Sequence, residues 1–273
     1  MTTNLGCISS MTALSRQGKS VLLENHYSIR GLGDILLPPE RNDELREYGG
    51  YFSHSGIEYV MKRMYSGEPG EKLIHQTAVP LLFNAMLYLP QGKIVNKEVF
   101  DYEFHLVQKE MFSILEQMAD YIFVDTETNQ NLSSRVLLSE ADLVVVNLDQ
   151  EPGHLKDFFE NYSSIQDKAV YVIGNYKSEL PWNLNKICKE YAIPGDKIGI
   201  VPYHMDLEDA MLQGKLLQFL NCNYYKAPDR ETEEFMRYVK RAAGMVRKNA
   251  LQIRRKKNSI AVAARGQRPA IMA

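Results

Sequence analysis

Four short apolar runs recur through the second half of the chain: "YIFVD" at 121–125, "LVVVNL" at 143–148, "AVYVIGN" at 169–175 and "IGIVP" at 198–202. None alternates apolar with polar residues, and each is rich in Val and Ile, so each reads as a strand buried on both faces. Stretches with helical spacing separate them, at 132–139, 153–162, 184–191 and 207–213. Parallel neighbours need crossovers of this kind. The alternation predicts an α/β fold: a mostly parallel sheet with helices on both faces. Ligands of such sheets sit beyond the carboxyl ends of the strands. Those ends carry Asn25, Asp125, Asn147, Asn175 and Pro202, which is where a site is to be sought.

The first half is less regular. Leu5, Ile8, Met11 and Ser15 share a helical face that Gly18 and Lys19 close, and "SVLLE" follows as a short buried strand. Ile57, Val60, Met61 and Met64 mark a second helix, with the methionines as core filler. "LLFNAMLYLP" reads as one strand and "PQGK" as the turn after it. Phe104, Val107, Met111, Leu115 and Met118 then recur every three to four residues along an amphipathic helix.

Composition narrows the function classes. With 45% apolar and 24% charged residues the chain is ordinary globular material. Its three cysteines are far apart and form no CxxC pair, which argues against a disulfide framework or zinc site and for a reducing, cytoplasmic setting. The six histidines form no HExxH pattern, and no GxSxG elbow occurs. The most membrane-like run, "AVPLLFNAMLYLP", holds two prolines and falls short of the ~20 residues a spanning helix needs. The net charge of −2 hides a division: from Phe235 onward there are eleven Lys/Arg and no Asp/Glu, so residues 1–234 carry −13 and the remainder +11. The expected organisation is an α/β domain over 1–234 and a basic C-terminal helix and tail over 235–273. Phe235, Val239, Ala242, Val246 and Ile253 lie on one face of that helix. The basic segment reads as a packed helix with a solvated end, as a peripheral membrane-surface element, or as a nucleic-acid contact.

Five segments in order carry a family resemblance: "TTNLGCISSMTALSRQGKSVLLEN", "ADYIFVDTETN", "LLSEADLVVVNLDQEP", "YVIGN" and "GIVPYHMDLEDAMLQGKLL". Together they resemble the ParA/MinD family of P-loop ATPases, including the TadZ/CpaE-type localisation proteins. They match its post-loop helix and second strand, its Walker B strand, the next helix and strand, an adenine-contacting Asn, and the late "iPyd…A…Gk" segment. The resemblance implies ATP or ADP bound with Mg²⁺, with Asp125 and Thr3 as metal ligands. It places Asp125 and Asn25 at catalytic positions, and Thr2, Thr3, Asn175, Pro202 and Tyr203 against the nucleotide. It also implies a protein partner in a localisation or assembly system and a nucleotide-dependent homodimer.

The sequence departs from that pattern in ways that bear on activity. The family's "KGGxGKT" loop and the strand before it are missing, and Asn25 stands where the family has Asp. "DTETN" replaces the Pro-rich segment after the Walker B Asp. Plainer roles stay open beside the functional ones: a cap for Asp125, a turn for Asn175, helix caps for Thr2 and Thr3. The reading is a nucleotide-binding localisation or assembly factor with weak or no ATPase activity. One alternative is an active Mg-dependent ATPase whose phosphate loop lies upstream of the given start. Another is a binding module using its basic tail on an anionic membrane or nucleic acid. In the family order the missing strand is expected between "SVLLE" and "YIFVD".

Overall fold

The computed structural model describes residues 2–25, 31–47, 56–91, 94, 96–126 and 131–266. Helix α1 (Thr2–Leu14) leads into strand β1 (Ser20–Asn25), followed by α2 (Leu32–Leu36), α3 (Pro39–Glu47), α4 (Gly56–Tyr65) and α5 (Gly70–Thr77). A hairpin of β2 (Val79–Leu81) and β3 (Met86–Leu89) precedes α6 (Lys97–Met118) and β4 (Tyr121–Thr126). The second half runs α7 (Leu132–Glu140), β5 (Val144–Leu148), α8 (Pro152–Asn161), α9 (Ser163–Gln166), β6 (Ala169–Tyr176), α10 (Leu184–Glu190) and β7 (Ile198–Pro202). It closes with α11 (Met205–Leu212), α12 (Leu216–Cys222) and α13 (Arg230–Gly266).

The strands form two sheets. One has the order β2-β3-β1-β4, the other β5-β6-β7, and every pairing except β2–β3 is parallel. The run "LLFNAMLYLP" is therefore not one strand: Leu82, Phe83 and Asn84 all take positive φ and reverse the chain into β3. The "PQGK" turn falls partly on Gly92 and Lys93, outside the described residues. The gap expected between "SVLLE" and "YIFVD" does not exist. β1 and β4 pair directly from Ser20↔Tyr121 to Asn25↔Thr126. Two parallel strands of matched length bond directly to each other along that edge, so no third strand stands between them. The break lies one strand further on, since among the described residues no ladder joins β4 to β5.

One face of both sheets shares a core. Leu22, Met86 and Phe123 of the first sheet and Val170, Val172 and Val201 of the second meet Ile8 and Met11 of α1, Leu216 of α12 and Val239 of α13. The opposite faces are covered separately, the first sheet by α4, α5 and α6, the second by α8 and α10. Helix α1 is buried from Asn4 to Ala13, more completely than an amphipathic pattern implies. Its hydroxyls are matched internally: Ser10 Oγ donates to the Gly6 carbonyl at 2.6 Å and Thr12 Oγ1 to that of Ile8 at 2.9 Å. Polar residues can then sit in a dry helix without orphaned groups. Helix α13 begins at Arg230; Phe235, Val239 and Val246 are buried in the shared core, and Ala242 is buried against Gly199.

Candidate functional site at the carboxyl edge

The pairing of β1 with β4 brings Asn25 and Asp125 to one edge, with Glu24 opposite Asp125 and Asn25 opposite Thr126. Asn25 is 1% exposed and Asp125 7%. The Asn25 amide nitrogen donates to Thr126 Oγ1 at 3.2 Å and to Ser134 Oγ at 3.3 Å. The two hydroxyls are themselves 2.9 Å apart. Ser133 and Ser134 open α7 and are fully buried, so this helix start closes over the strand ends. Asn131, just before them, donates to Asp101 of α6 at 3.3 Å and to Ser133 Oγ at 3.0 Å. The result is a buried network of Asn25, Thr126 and Ser134 on one face of the β1–β4 edge, while Asp125, paired with Glu24, belongs to the opposite face. Among the described residues the Asn25 amide oxygen is buried with no hydrogen-bond partner, an acceptor left over.

Glu24 turns into the sheet. Its carboxylate accepts from the Gly33 amide at 3.3 Å and from the Tyr88 hydroxyl, so it ties β1 to β3 and α2. The neighbouring His26 and the "ETN" after Thr126 lie outside the described residues.

The second sheet contributes the other expected positions. Asn175 ends the apolar run of β6 in a left-handed conformation (φ 47°), where the β6–β7 register shifts. It thus sits at a bulge within β6 and is exposed. Tyr176 pairs with Pro202, and the Tyr203 amide donates to the Tyr176 carbonyl at 3.1 Å, so Asn175, Pro202 and Tyr203 form one group. Lys177 Nζ lies 5.0 Å from the Tyr203 ring centre. The Glu208 carboxylate nearby, more than burial, raises the Tyr203 hydroxyl above its ordinary range. Thr2 and Thr3, both half-buried, form the first turn of α1, which carries no acidic residue. The next residue, Asn4, presses against Gly174, where an added Cβ would come within 2.5 Å of its amide nitrogen. The start of α1 thus sits beside the end of β6.

The sequence-derived positions therefore fall into two groups, Asn25 with Asp125 on the first sheet and Thr2, Thr3, Asn175, Pro202 and Tyr203 by the second. The start of α1 suits an anion, because its amides are unsatisfied within the helix and its first turn carries no acidic residue. The start of α8 does not: Glu151 already accepts from the Gly153 and His154 amides at 3.1 and 3.0 Å. Among the described residues no group of three or more His, Cys, Asp or Glu could hold a metal. Asp125 and the Thr3 hydroxyl are nevertheless hard oxygen donors of the kind magnesium takes alongside phosphate and water. Thr126, Ser133, Ser134 and Asn131 escaped the sequence reading. "NLSS" opening a helix after a strand was the available signal.

No protein-family profile matches the chain, and no curated protein does. Solved structures do match. A ParA family ATPase from Chlorobium tepidum is similar at 13% identity over 87% of this chain and 92% of its own, with a TM-score of 0.62. MinD from Pyrococcus horikoshii, solved with Mg-ADP, is similar at 12% identity over 91% of each chain, with a TM-score of 0.62. A chain of the MinC:MinD cell division protein complex of Aquifex aeolicus is similar at 17% identity over 90% of each chain, with a TM-score of 0.59. At such identities the likeness speaks for architecture. By the order of its elements and its similarity to these structures, this chain has the α/β fold of the ParA/MinD P-loop ATPases.

Proposed function

We propose that the chain is a nucleotide-binding localisation or assembly factor with weak or no ATP hydrolysis. The observation that carries this reading is Asn25. Its amide N–H groups are spent on Thr126 and Ser134, and its neutral side chain cannot take a proton from an attacking water. Phosphoryl transfer depends on charge placed where it develops, and the amide and hydroxyls clustered around Asn25 supply little.

The amides of the first α1 turn, with the Thr2 and Thr3 hydroxyls, would bind phosphate. Thr3 and Asp125 would hold Mg²⁺, which when bound neutralises phosphate charge. Asn175, Pro202 and Tyr203 would face the base, where an exposed Asn amide offers the purine edge both a donor and an acceptor. A second copy of the chain and a protein partner of a positioning system are the expected associates.

Phosphate release with Mg²⁺ and ATP, alone and with liposomes or DNA, tests the activity, and calorimetric titration with ATP and ADP tests binding. The expected results are negligible turnover, and binding that Asn175→Ala weakens. Turnover abolished by Asp125→Ala would overturn the reading in favour of an active Mg-dependent ATPase.

The basic helix supports another role. No described helix is long and apolar enough to cross a membrane. Beyond the packed part of α13, Arg254, Arg255, Lys256 and Lys257 are all exposed. Binding to anionic vesicles or to DNA that falls steeply with salt, without nucleotide, would favour a module acting through its tail.

A further inference from the structure

The stretch Ala78–Pro90 carries no charged residue and forms the β2–β3 hairpin. Most of its apolar side chains are spent on the fold: Val79, Leu81, Met86, Tyr88 and Leu89 are buried. Phe83 is not. It is 94% exposed at the tip, and no other large apolar side chain among the described residues is more so. The backbone there is also held against its preference. Leu82, Phe83 and Asn84 have φ of 48°, 56° and 66°, and the Ala85 amide donates to the Leu82 carbonyl at 3.1 Å to close the turn. A hairpin turn with positive φ at both central residues favours Asn and Gly, because a larger side chain crowds the backbone. Asn84 suits that conformation, and Leu82 gains by packing against the shared core. Phe83 gains no burial in return. A bulky residue kept exposed in a costly conformation points to a use outside the chain.

The tip lies at the amino edge of the first sheet, opposite the candidate site. β3, β1 and β4 are parallel, so Met86, Ser20 and Tyr121 lie side by side at their starts. The Ser20 amide donates to the Ala85 carbonyl at 3.1 Å, which ties the turn to β1. Cations follow along the same edge. Lys19 is exposed, and its carbonyl accepts from the Asp120 amide at 2.9 Å. Arg16, also exposed, lies in the turn between α1 and β1. Arg254 pairs with Asp120 at 3.7 Å and Lys257 with Asp142, which brings the basic end of α13 to this edge. Arg255 and Lys256 between them are exposed.

We propose that this edge docks on an anionic phospholipid bilayer, with Phe83 as a wedge at the boundary between headgroups and acyl chains. The ring leaves water there, while Arg16, Lys19 and the α13 cations stay with the lipid phosphates. The hairpin itself carries no carboxylate to be repelled. Its exposed Pro80 and Phe83 suit an apolar medium, and Asn84 is its one exposed polar side chain, too little to read a base or a polar protein pocket. One ring gives weak, reversible attachment, so the wedge acts together with the cations. This contact is separate from the role of the α13 end, and it does not depend on nucleotide binding.

The test uses the full chain without nucleotide, co-sedimented at low and high salt with vesicles of phosphatidylglycerol and phosphatidylcholine, or of phosphatidylcholine alone. Phe83→Asn accepts the positive φ readily, so it should be at least as stable as the parent in urea. It should bind the anionic vesicles about tenfold more weakly, the loss of one partly buried ring. Gln in place of Arg254, Arg255, Lys256 and Lys257 should remove most of the salt dependence and leave the effect of Phe83→Asn in place. Phe83→Trp should keep the binding, and lipids brominated on their acyl chains should quench its added indole beyond any quenching of Trp182 in the parent. A parent chain that ignores anionic vesicles would overturn the proposal. So would Phe83→Asn binding as tightly as the parent, an added indole left unquenched, or a Phe83→Asn chain less stable than the parent, since the ring would then serve the fold. Vesicle binding that is lost with the four tail substitutions and unmoved by Phe83→Asn would overturn the wedge and leave the tail role standing. An equal loss of duplex-DNA binding with Phe83→Asn would overturn the assignment to lipid.

Discussion

Asn25→Asp places a carboxylate at the end of β1, and the structure sets what that change costs. The new oxygen would stand where the amide nitrogen now donates to Thr126 and Ser134, at a position 1% exposed. Both hydroxyls can turn to donate, but they are also bonded to each other at 2.9 Å, so recruiting both breaks that contact. The gain is one hydrogen bond to a charged group, about 1.5–3 kcal/mol. Against it stands the burial of a charge, several kcal/mol even after relaxation. The net loss expected at neutral pH is about 2–4 kcal/mol, a large share of a typical stability. Burial raises the new carboxyl in the folded state above its unfolded value of about 3.9. The protonated form is therefore favoured by folding: the loss is small below the unfolded value, grows as pH rises toward the folded one, and is constant above it. Urea denaturation followed by the fluorescence of Trp182, at several pH values from 4 to 8, measures this. A variant as stable as the parent throughout would refute the argument, since the cluster would then be wet or hold a cation. Stability restored by added Mg²⁺ would identify the cation.

Three further outcomes follow from local geometry. Gly214→Ala should cost about 2–4 kcal/mol in urea unfolding, because φ is +65° and the new Cβ would stand 1.8 Å from the Leu37 carbonyl oxygen. In native protein a thiol reagent should label exposed Cys222 and spare Cys7, which is fully buried with its thiol pushed up to about 12. Cys7 should react only once the chain unfolds. The His154 ring is raised above its ordinary value, first by its hydrogen bond to Asp149 at 2.8 Å and then by the Asp149 and Glu151 charges. Its contribution is present below the unfolded value and lost as pH rises through the folded one, so His154→Ala should narrow the stability difference between pH 6 and pH 8.5 in thermal melts.

Much of the architecture was legible in the residues because its signals are local. The Val- and Ile-rich runs became β4 to β7 in the expected order, and the stretches between them became helices with ends shifted by a residue or two. Helix α6 followed its apolar spacing, and Asn96 fixed its start by accepting from the Glu98 and Val99 amides. Buried parallel strands and amphipathic helices write their period into sequence whatever they pack against. The hairpin inside "LLFNAMLYLP" was hidden for the same reason. Its turn uses Leu82, Phe83 and Asn84 at positive φ, and no glycine marks it.

The candidate site divides along the same line. That Asn25, Asp125, Asn175 and Pro202 lie at strand ends could be read directly. That Ser134, far along the chain, would take up the Asn25 amide depended on how α7 closes over the β1–β4 edge. Which strands touch was likewise settled by packing. The family order pointed to a gap between β1 and β4, but the core under α1 and α13 draws those strands together and leaves the opening between β4 and β5. Strand identity is a property of a few consecutive residues, whereas strand adjacency is a sum over distant contacts that no single segment carries.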